Sequence, residues 1–145
     1  MRLSRFAAVV AAVALIGAGF AGGVLFGPVG EAAQGPRVFE LRTYTAPEGK
    51  LDDLHARFRN HTLRLFERHG MTNVVYLKPL DAPQSGNTLV YLLAHSSREA
   101  AKKSWAAFAA DPEWKKVAAE SQANGRIVEK VESTYLEAAD YSPLK

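Results

Sequence analysis

The stretch Val38-Phe39-Glu40-Leu41-Arg42-Thr43-Tyr44-Thr45 decides the fold, because it is the first segment with the pattern of a β-strand. Side chains along a strand point alternately to its two faces. The mostly apolar face carries Phe39, Leu41, Thr43 and Thr45. The other face carries Val38, Glu40, Arg42 and Tyr44. An acid, a base and a phenol in one row are the most function-like feature of the sequence.

Composition excludes several classes of function. The chain has 145 residues, of which 48% are hydrophobic, and this suits one folded domain with an additional segment. Its 18 Lys and Arg residues are mixed with 15 Asp and Glu residues, so no basic run predicts a nucleic-acid partner. Without cysteine there are no disulfides, thiolate metal sites or cysteine nucleophiles. The four histidines lack the i, i+4 spacing of zinc sites, and we expect neither a metal nor a cofactor.

The N-terminal segment, residues 1–33, is typical of a signal peptide or a membrane anchor. Two arginines within residues 1–5 precede an uncharged apolar run over residues 6–30. A cleaved signal has an apolar region of roughly 7–15 residues and a spanning helix needs about 20, so both alternatives fit. Either alternative places the protein outside the cytoplasm, in the periplasm, in the extracellular space or anchored in the membrane. We expect a linker over residues 34–37 and the folded domain over residues 38–145.

The folded part predicts the order β-α-β-β-α-β. Apolar residues at helical spacing predict a first helix that ends before Gly70. Ser96 with Glu99 predicts a capping box for a second helical region, which Asp111 and Pro112 divide into two. The predicted strands are residues 38–45, 71–80, 88–95 and 127–136, and the predicted helices are residues 50–69, 98–109 and 112–124.

This order is the ferredoxin-like plan, an α+β fold with two helices on one face of a four-stranded antiparallel sheet. In the third strand, apolar side chains occupy both faces: Leu89, Tyr91 and Leu93 on one, Val90 and Leu92 on the other. A sheet wetted on one side should alternate cleanly, and each bare apolar side chain forgoes about 1.5–3 kcal/mol of burial. We therefore expect a homodimer whose two sheets enclose a shared interior. The alternative is a half-exposed sheet with scattered apolar residues.

Several segments resemble the NIPSNAP family. They are Phe39-Glu40-Leu41-Arg42-Thr43-Tyr44, Gly49-Lys50-Leu51, Phe66-Glu67-Arg68-His69-Gly70-Met71, the pair Trp105 and Phe108, and Asp111-Pro112-Glu113-Trp114. The resemblance spans about residues 37–143. It implies a dimeric α/β-barrel fold, in a superfamily that includes cofactor-free monooxygenases, haem-binding enzymes and proteins of unknown role. It brings no established catalytic residues.

Six residues are candidates for a pocket or an interface: Glu40, Arg42, Tyr44, His61, Tyr91 and His95. Positions i, i+2 and i+4 of a strand share one face and lie about 6.5–7 Å apart. Arg42 would bind a carboxylate and Tyr44 would donate a proton if this face lined a cavity between the sheets. Alternatively, Glu40 and Arg42 pair with each other or with a neighbouring strand and fix register and dimer contacts. We favour the structural role.

Two histidines extend the candidate site. His61 lies in the middle of the first predicted helix. It either reaches the cavity mouth, where it would act as a general base, or lies at the surface without a catalytic role. His95 ends the third strand and is expected at a pocket rim.

The sequence supports two functions of different classes. No catalytic constellation stands out, which favours a homodimeric module that binds a small molecule or a protein partner. The alternative is a cofactor-independent oxygenase or isomerase acting on a small aromatic or polyketide-like substrate, with Arg42, Tyr44 and His61 in binding and acid–base roles. That alternative requires a cavity of about 300 Å³ or more lined by these groups.

Overall fold

The computed structural model describes residues 37–144, and the structural statements below concern these residues alone. The strands are β1 (Val38–Thr45), β2 (Thr72–Leu77), β3 (Thr88–His95) and β4 (Lys130–Glu137). The helices are α1 (Leu51–Arg57), α2 (Leu63–Arg68), α3 (Arg98–Ala110) and α4 (Pro112–Ser121). A π-helical turn, Phe58–Thr62, joins α1 to α2 and is called the π segment below.

The N-terminal signal or anchor prediction falls outside the described residues. Within residues 37–144, each helix is too short or too polar to cross a membrane.

The four strands form one antiparallel sheet in the order β2-β3-β1-β4, which confirms the predicted ferredoxin-like α+β fold. Strand β1 lies in the interior of the sheet, between β3 and β4. Glu40 is therefore opposite Leu93 on one side and Tyr135 on the other. This central position lets a single β1 side chain reach three strands.

The core lies between the sheet and the helices and is largely aromatic. The Tyr91 ring on β3 contacts Phe58 of the π segment at 5.2 Å and Phe66 of α2 at 6.0 Å between centroids. Leu89 and Leu93 flank Tyr91 on the same face of β3 and are buried as well. These three residues share one face of β3, as their alternation indicated, and the structure shows that this face is the inner one.

The opposite face of the sheet, called the outer face below, is apolar but only partly covered. Four of its large side chains are exposed, with values of 36% at Leu41, 37% at Val75, 51% at Leu77 and 42% at Leu136, whereas Phe39 on the same face is only 3% exposed. Val90 and Leu92 share this face and are half-buried. The expectation that apolar residues occupy both faces of the sheet is confirmed.

The first helical region contains an irregularity that the apolar spacing did not predict. The helix predicted over residues 50–69 is present without a gap, but the π segment interrupts its α-helical hydrogen bonds. Within this segment the Thr62 hydroxyl donates to the Arg57 carbonyl over 3.2 Å. A π turn widens the helix locally and changes which side chains face the sheet. Both grooves described below border this turn.

The predicted capping box at the second helical region is wrong by one residue. The side chain of Ser97, rather than that of Ser96, accepts a hydrogen bond from the Ala100 N–H over 3.0 Å. Ser97 has the extended backbone that an N-cap requires, while Ser96 is exposed and connects β3 to the helix.

The predicted break between α3 and α4 is confirmed. Asp111 has an extended backbone, and its carboxylate accepts hydrogen bonds from the N–H groups of Glu113 at 2.7 Å and Trp114 at 3.4 Å. Pro112 occupies the first helical position, where its missing N–H costs nothing.

Three predicted ends differ from the structure by more than one residue. Strand β2 stops at Leu77, two residues before Pro79, and α4 ends at Ser121 rather than at residue 124. Strand β4 begins at Lys130, because Ile127 turns into the core and is fully buried.

Candidate functional site

The polar row of β1 faces the helix layer of its own chain. We expected this row to meet a second copy across a dimer, and the structure corrects that orientation. The indole N–H of Trp105, on α3, donates to a Glu40 carboxylate oxygen over 2.7 Å. The Arg42 guanidinium lies 4.2 Å from the centre of the Trp105 ring. Both contacts fix the row on the inner face.

Glu40 is the centre of a hydrogen-bonded cluster and is 1% exposed. Its carboxylate accepts from Arg42 at 2.7 Å, His95 at 3.0 Å, Trp105 at 2.7 Å and Ser133 at 2.7 Å. Burial alone would raise the pKa of the Glu40 carboxyl, but these four hydrogen bonds outweigh it and lower the pKa to about 2. Glu40 is therefore ionised at neutral pH, and its carboxylate joins three strands to α3. With Tyr44, these residues form the Glu40 cluster.

Arg42 is neutralised within this cluster. It forms an ion pair with Glu40 and donates a longer hydrogen bond of 3.4 Å to the Tyr44 hydroxyl. Burial tends to lower the pKa of Arg42, but Tyr44, Tyr91 and Glu40 more than offset this and raise it above its ordinary value. The predicted pairing of Glu40 with Arg42 is thus present in the structure.

The other predicted residues lie in different environments. The His95 side chain is fully buried in the Glu40 cluster, which contradicts its expected place at a pocket rim. Tyr91 lies in the core with 0% exposure, and its hydroxyl has no hydrogen-bond partner among the described residues. His61 is exposed on the π segment and lines a groove to which neither Glu40 nor Arg42 contributes. The structure brings together Glu40, Arg42, Tyr44 and His95, and leaves His61 apart.

A groove of about 370 Å³ separates α1 and the π segment from α4. Arg57, which is 6% exposed, lies in it beside Val117. The remaining lining residues are Asp53, Ala56, Asn60, His61, Glu120, Ser121 and Asn124. We call this the Arg57 groove. Sequence reasoning missed Arg57, although its position three residues after Leu54 and next to Phe58 indicates the buried side of the helix.

Arg57 lacks the partners that a buried guanidinium normally has. Its best hydrogen bond is a long one of 3.5 Å from Nη1 to the Ser121 hydroxyl, and its Nε has no partner. The Arg57 guanidinium also lies over the Trp114 ring, with 5.2 Å between its central carbon and the ring centroid. No described carboxylate forms an ion pair with Arg57. Burial lowers the pKa of Arg57, and the nearby Tyr44 and Tyr91 only partly compensate.

A second depression, of about 250 Å³, lies between the π segment and strands β2 and β3. Its apolar and aromatic lining consists of Phe58, Leu63, Tyr76 and Leu89. Its polar groups are His55, Arg59 and Lys78. We call it the aromatic cleft. Nothing in the strand alternation predicted it, because the π segment positions its helical side.

The aromatic cleft has a positive rim. Within residues 37–144, neither Arg59 nor Lys78 forms an ion pair, and the buried Nε2 of His55 has no hydrogen-bond partner. Burial lowers the pKa of His55, and the nearby Lys78 and Arg59 add to this effect against the opposing charge of Asp52. An anion at the rim would relieve the repulsion among these groups.

The remaining motif residues hold the helices together. Asp111 caps α4 and also accepts from Arg68 and from His69, whose Nε2 lies 2.6 Å away. The hydrogen bond from His69 holds the pKa of the Asp111 carboxyl well below its usual range, despite partial burial. Glu113 pairs with Arg64 and Arg68. Among the described residues, no cluster of three or more His, Asp or Glu side chains is arranged to hold a metal ion.

Comparison with known proteins places this geometry in a family. A family model for NIPSNAP proteins matches residues 39–143. A NIPSNAP family protein of unknown function from Agrobacterium tumefaciens is 21% identical, with a TM-score of 0.66, over 76% of this chain and 95% of that chain. An uncharacterised NIPSNAP-like domain protein from Burkholderia xenovorans is 17% identical, with a TM-score of 0.64, over 74% of this chain and 89% of the other.

The fold also resembles that of a characterised enzyme. SnoaB, a cofactor-independent oxygenase from Streptomyces nogalater, is 16% identical, with a TM-score of 0.51, over 74% of this chain and 98% of its own. At this identity the likeness concerns the fold. No curated protein matches this chain in sequence.

Proposed function

The chain belongs to the NIPSNAP family, and we propose that its folded domain is a homodimeric module that binds a small aromatic acid in the aromatic cleft. One observation carries the proposal. The cleft combines an aromatic lining with a rim of cationic side chains that have no carboxylate partner among the described residues.

The lining suits a flat apolar ligand. The Phe58 and Tyr76 rings lie 5.9 Å apart with an angle of 66° between their planes, so they form two walls of a corner. Phe58 is anchored by the core, and Tyr76 by stacking on Tyr91 at 5.4 Å and by a hydrogen bond to Asn73. Rigid aromatic walls bind a ring with little loss of conformational entropy.

The rim selects for an acidic group on that ligand. Arg59 and Lys78 are exposed, and His55 offers a buried ring nitrogen that lacks a hydrogen-bond partner. A carboxylate here would accept charge-assisted hydrogen bonds from the two cations. Small-molecule sites typically combine a mainly apolar lining with a few such polar groups.

The homodimer is supported by the outer face. The sheet has helices only on its inner side. Four apolar side chains of the outer face are each between 36% and 51% exposed: Leu41, Val75, Leu77 and Leu136. A second copy placed against this face would bury these side chains, and each Å² of apolar surface removed from water would stabilise the dimer by roughly 25 cal/mol. The fold class shared with the solved relatives also favours this arrangement.

The N-terminal sequence supports a role outside the cytoplasm. The basic start and apolar run of residues 1–30 have the composition of an export signal or an anchor. N-terminal sequencing of the mature protein, recovered from the exported and membrane fractions, would distinguish cleavage from retention. Recovery of the intact chain in the cytoplasm alone would contradict export.

The oxygenase or isomerase alternative has less support. It depends on Arg42 and Tyr44 meeting a substrate, yet Arg42 is paired with Glu40 and stacked on Trp105. Neither the Arg57 groove nor the aromatic cleft is lined by these groups. The likeness to SnoaB is one of fold alone.

Calorimetric titration of the purified full chain with 2-naphthoate tests the ligand proposal. We expect saturable binding, and we expect the variant combining Arg59→Gln and Lys78→Gln to weaken it about tenfold or more. The uncharged analogue 2-naphthalenemethanol should bind more weakly than naphthoate. A matched control combines Lys102→Gln and Lys103→Gln, which remove two exposed charges from α3. Equal affinity in both double variants would refute the rim as the binding determinant.

Light scattering on the same protein tests the dimer. Leu77→Glu should shift the molar mass from dimer to monomer, because it places a charge on the outer face that the partner would cover. Leu80 is 93% exposed in the loop after β2, so Leu80→Glu is the control and should leave the dimer intact. A monomeric wild-type protein would contradict the dimer directly.

A further inference from the structure

We infer that the Arg57 groove is a second ligand site, which binds a small oxyanion, a carboxylate or a phosphate, on the Arg57 guanidinium. This goes beyond the proposed function, because the groove and the aromatic cleft share no lining residue. The site rests on a buried charge that its own chain leaves unpaired.

The first step is the charge itself. Arg57 is only 6% exposed, and a buried ion without an oppositely charged partner carries a large desolvation cost. Arg42, whose side chain is 15% exposed, has Glu40 at 2.7 Å to offset such a cost. Arg57 has only a 3.5 Å contact with Ser121 and the face of Trp114. A bound anion would supply the missing partner.

The second step is access and geometry. The groove has about 370 Å³ of space, which accommodates a small anion together with water. The planar guanidinium presents donors in a fork that matches two oxygens of a carboxylate or phosphate. Asn60 and Asn124 line the same groove and supply further donors, whereas the Ser121 hydroxyl already donates to the Ala118 carbonyl over 3.2 Å.

The third step concerns the acids in the groove. Asp53 forms an ion pair with Lys50 at 3.1 Å, and Glu120 lies 3.8 Å from Lys116. Both carboxylates therefore pair with lysines and not with Arg57. The groove keeps one buried positive charge for an external partner.

The test uses the fluorescence of Trp114, one of two tryptophans in the chain, because the Arg57 guanidinium lies against its ring. The purified full chain is titrated separately with succinate and with inorganic phosphate. We expect a saturable signal that disappears in Trp114→Phe. Preference for one anion identifies the ligand class, and the absence of a saturable signal with both overturns the inference.

Two variants examine the site itself. Arg57→Lys keeps the charge but loses the fork, and it should weaken binding about tenfold. Asn124→Asp adds a negative charge at an exposed position of the groove without touching the core, and it should weaken binding by a similar factor. The matched control Gln84→Glu adds the same charge in the exposed loop before β3. Unchanged affinity in Asn124→Asp, or equal loss in Gln84→Glu, would overturn the site.

The same samples separate this inference from the proposed function. The variant that combines Arg59→Gln and Lys78→Gln should lose 2-naphthoate affinity and keep succinate or phosphate binding, and Asn124→Asp should do the reverse. Loss of both ligands in either variant would contradict two independent sites.

Discussion

Two arginines with little exposure to water, fifteen residues apart, show how differently this fold surrounds the same side chain. Arg42 lies on the central strand and is enclosed by Glu40, Tyr44 and Trp105. Arg57 lies at the end of α1 and is only 6% exposed, but it borders an open groove and forms no ion pair with a described acid. The first charge is part of the scaffold. The charge of Arg57 is available to bind an anion from outside the chain.

The strongest test of the Glu40 cluster is Glu40→Ala. It removes the acceptor of four donors and leaves Arg42 as an unpaired buried charge, so we expect a loss of about 3–5 kcal/mol in the free energy of unfolding. Urea denaturation of the full chain measures it. The control is Glu132→Ala, at an exposed acid on β4, which should cost less than about 1 kcal/mol. A similar loss in both variants would mean that the cluster is not a structural centre.

The comparison itself is tested by Arg42→Met against Arg57→Met. Arg42→Met breaks a buried pair and should cost about 2–4 kcal/mol of unfolding free energy. Arg57→Met removes a charge that has no partner, so the loss should be below about 1 kcal/mol, and a gain is consistent with the same reasoning. Denaturant titration of both variants gives the difference. Equal losses would show that Arg57 has a partner within its own chain.

The free energy of unfolding, measured as a function of pH in the acidic range, should reveal the ionisation of Glu40. Its pKa falls from 4.5 in the unfolded chain to about 2 in the folded one, so its contribution is present above pH 4.5 and is lost as the pH falls towards 2. The size is about 3 kcal/mol at most. The curve of unfolding free energy against pH is measured for the wild type and for Glu40→Gln. Subtracting the second curve from the first removes the pH dependence that is due to Asp111 and Glu113. A flat difference between pH 5 and 2 would contradict the lowered pKa.

The smallest expected effect extends the comparison to two stacked tyrosines. Tyr76 donates to Asn73 over 2.5 Å, whereas the buried Tyr91 hydroxyl has no partner among the described residues. Tyr76→Phe should therefore cost about 1 kcal/mol of unfolding free energy, and Tyr91→Phe should cost nothing or stabilise the protein. Thermal and urea unfolding of the two variants check this order. The reverse order would place a hydrogen-bond partner at Tyr91.

The element order was predictable from the sequence, but the orientation of β1 was not. Strand β3 carries apolar residues on both faces, and β1 has Phe39 and Leu41 on one face with Val38 and Tyr44 on the other. Alternation alone therefore cannot choose the inner face. The choice depends on Trp105, which lies 65 residues after Glu40 and needs an acceptor beneath α3.

The candidate sites were harder to predict than the fold for the same physical reason. The pairing of Glu40 with Arg42 follows from strand spacing, whereas the burial of Arg57 depends on the packing of α4 against α1. The absence of an ion pair at Arg57 is a property of its surroundings and not of the residue. The π segment has no recognisable signature in the apolar pattern, so the grooves on its two sides could not be inferred.

The π segment also makes both sites depend on the length of the chain. Each residue advances an α-helix by about 100°, so deleting one residue between positions 58 and 62 would rotate α1 by that angle relative to α2. Arg57 and His55 would then leave the groove and the cleft together, although both would still be encoded. An alignment of relatives scored only by matched residues would overlook this change. A gap in this turn is therefore as informative about binding as a substitution in either site.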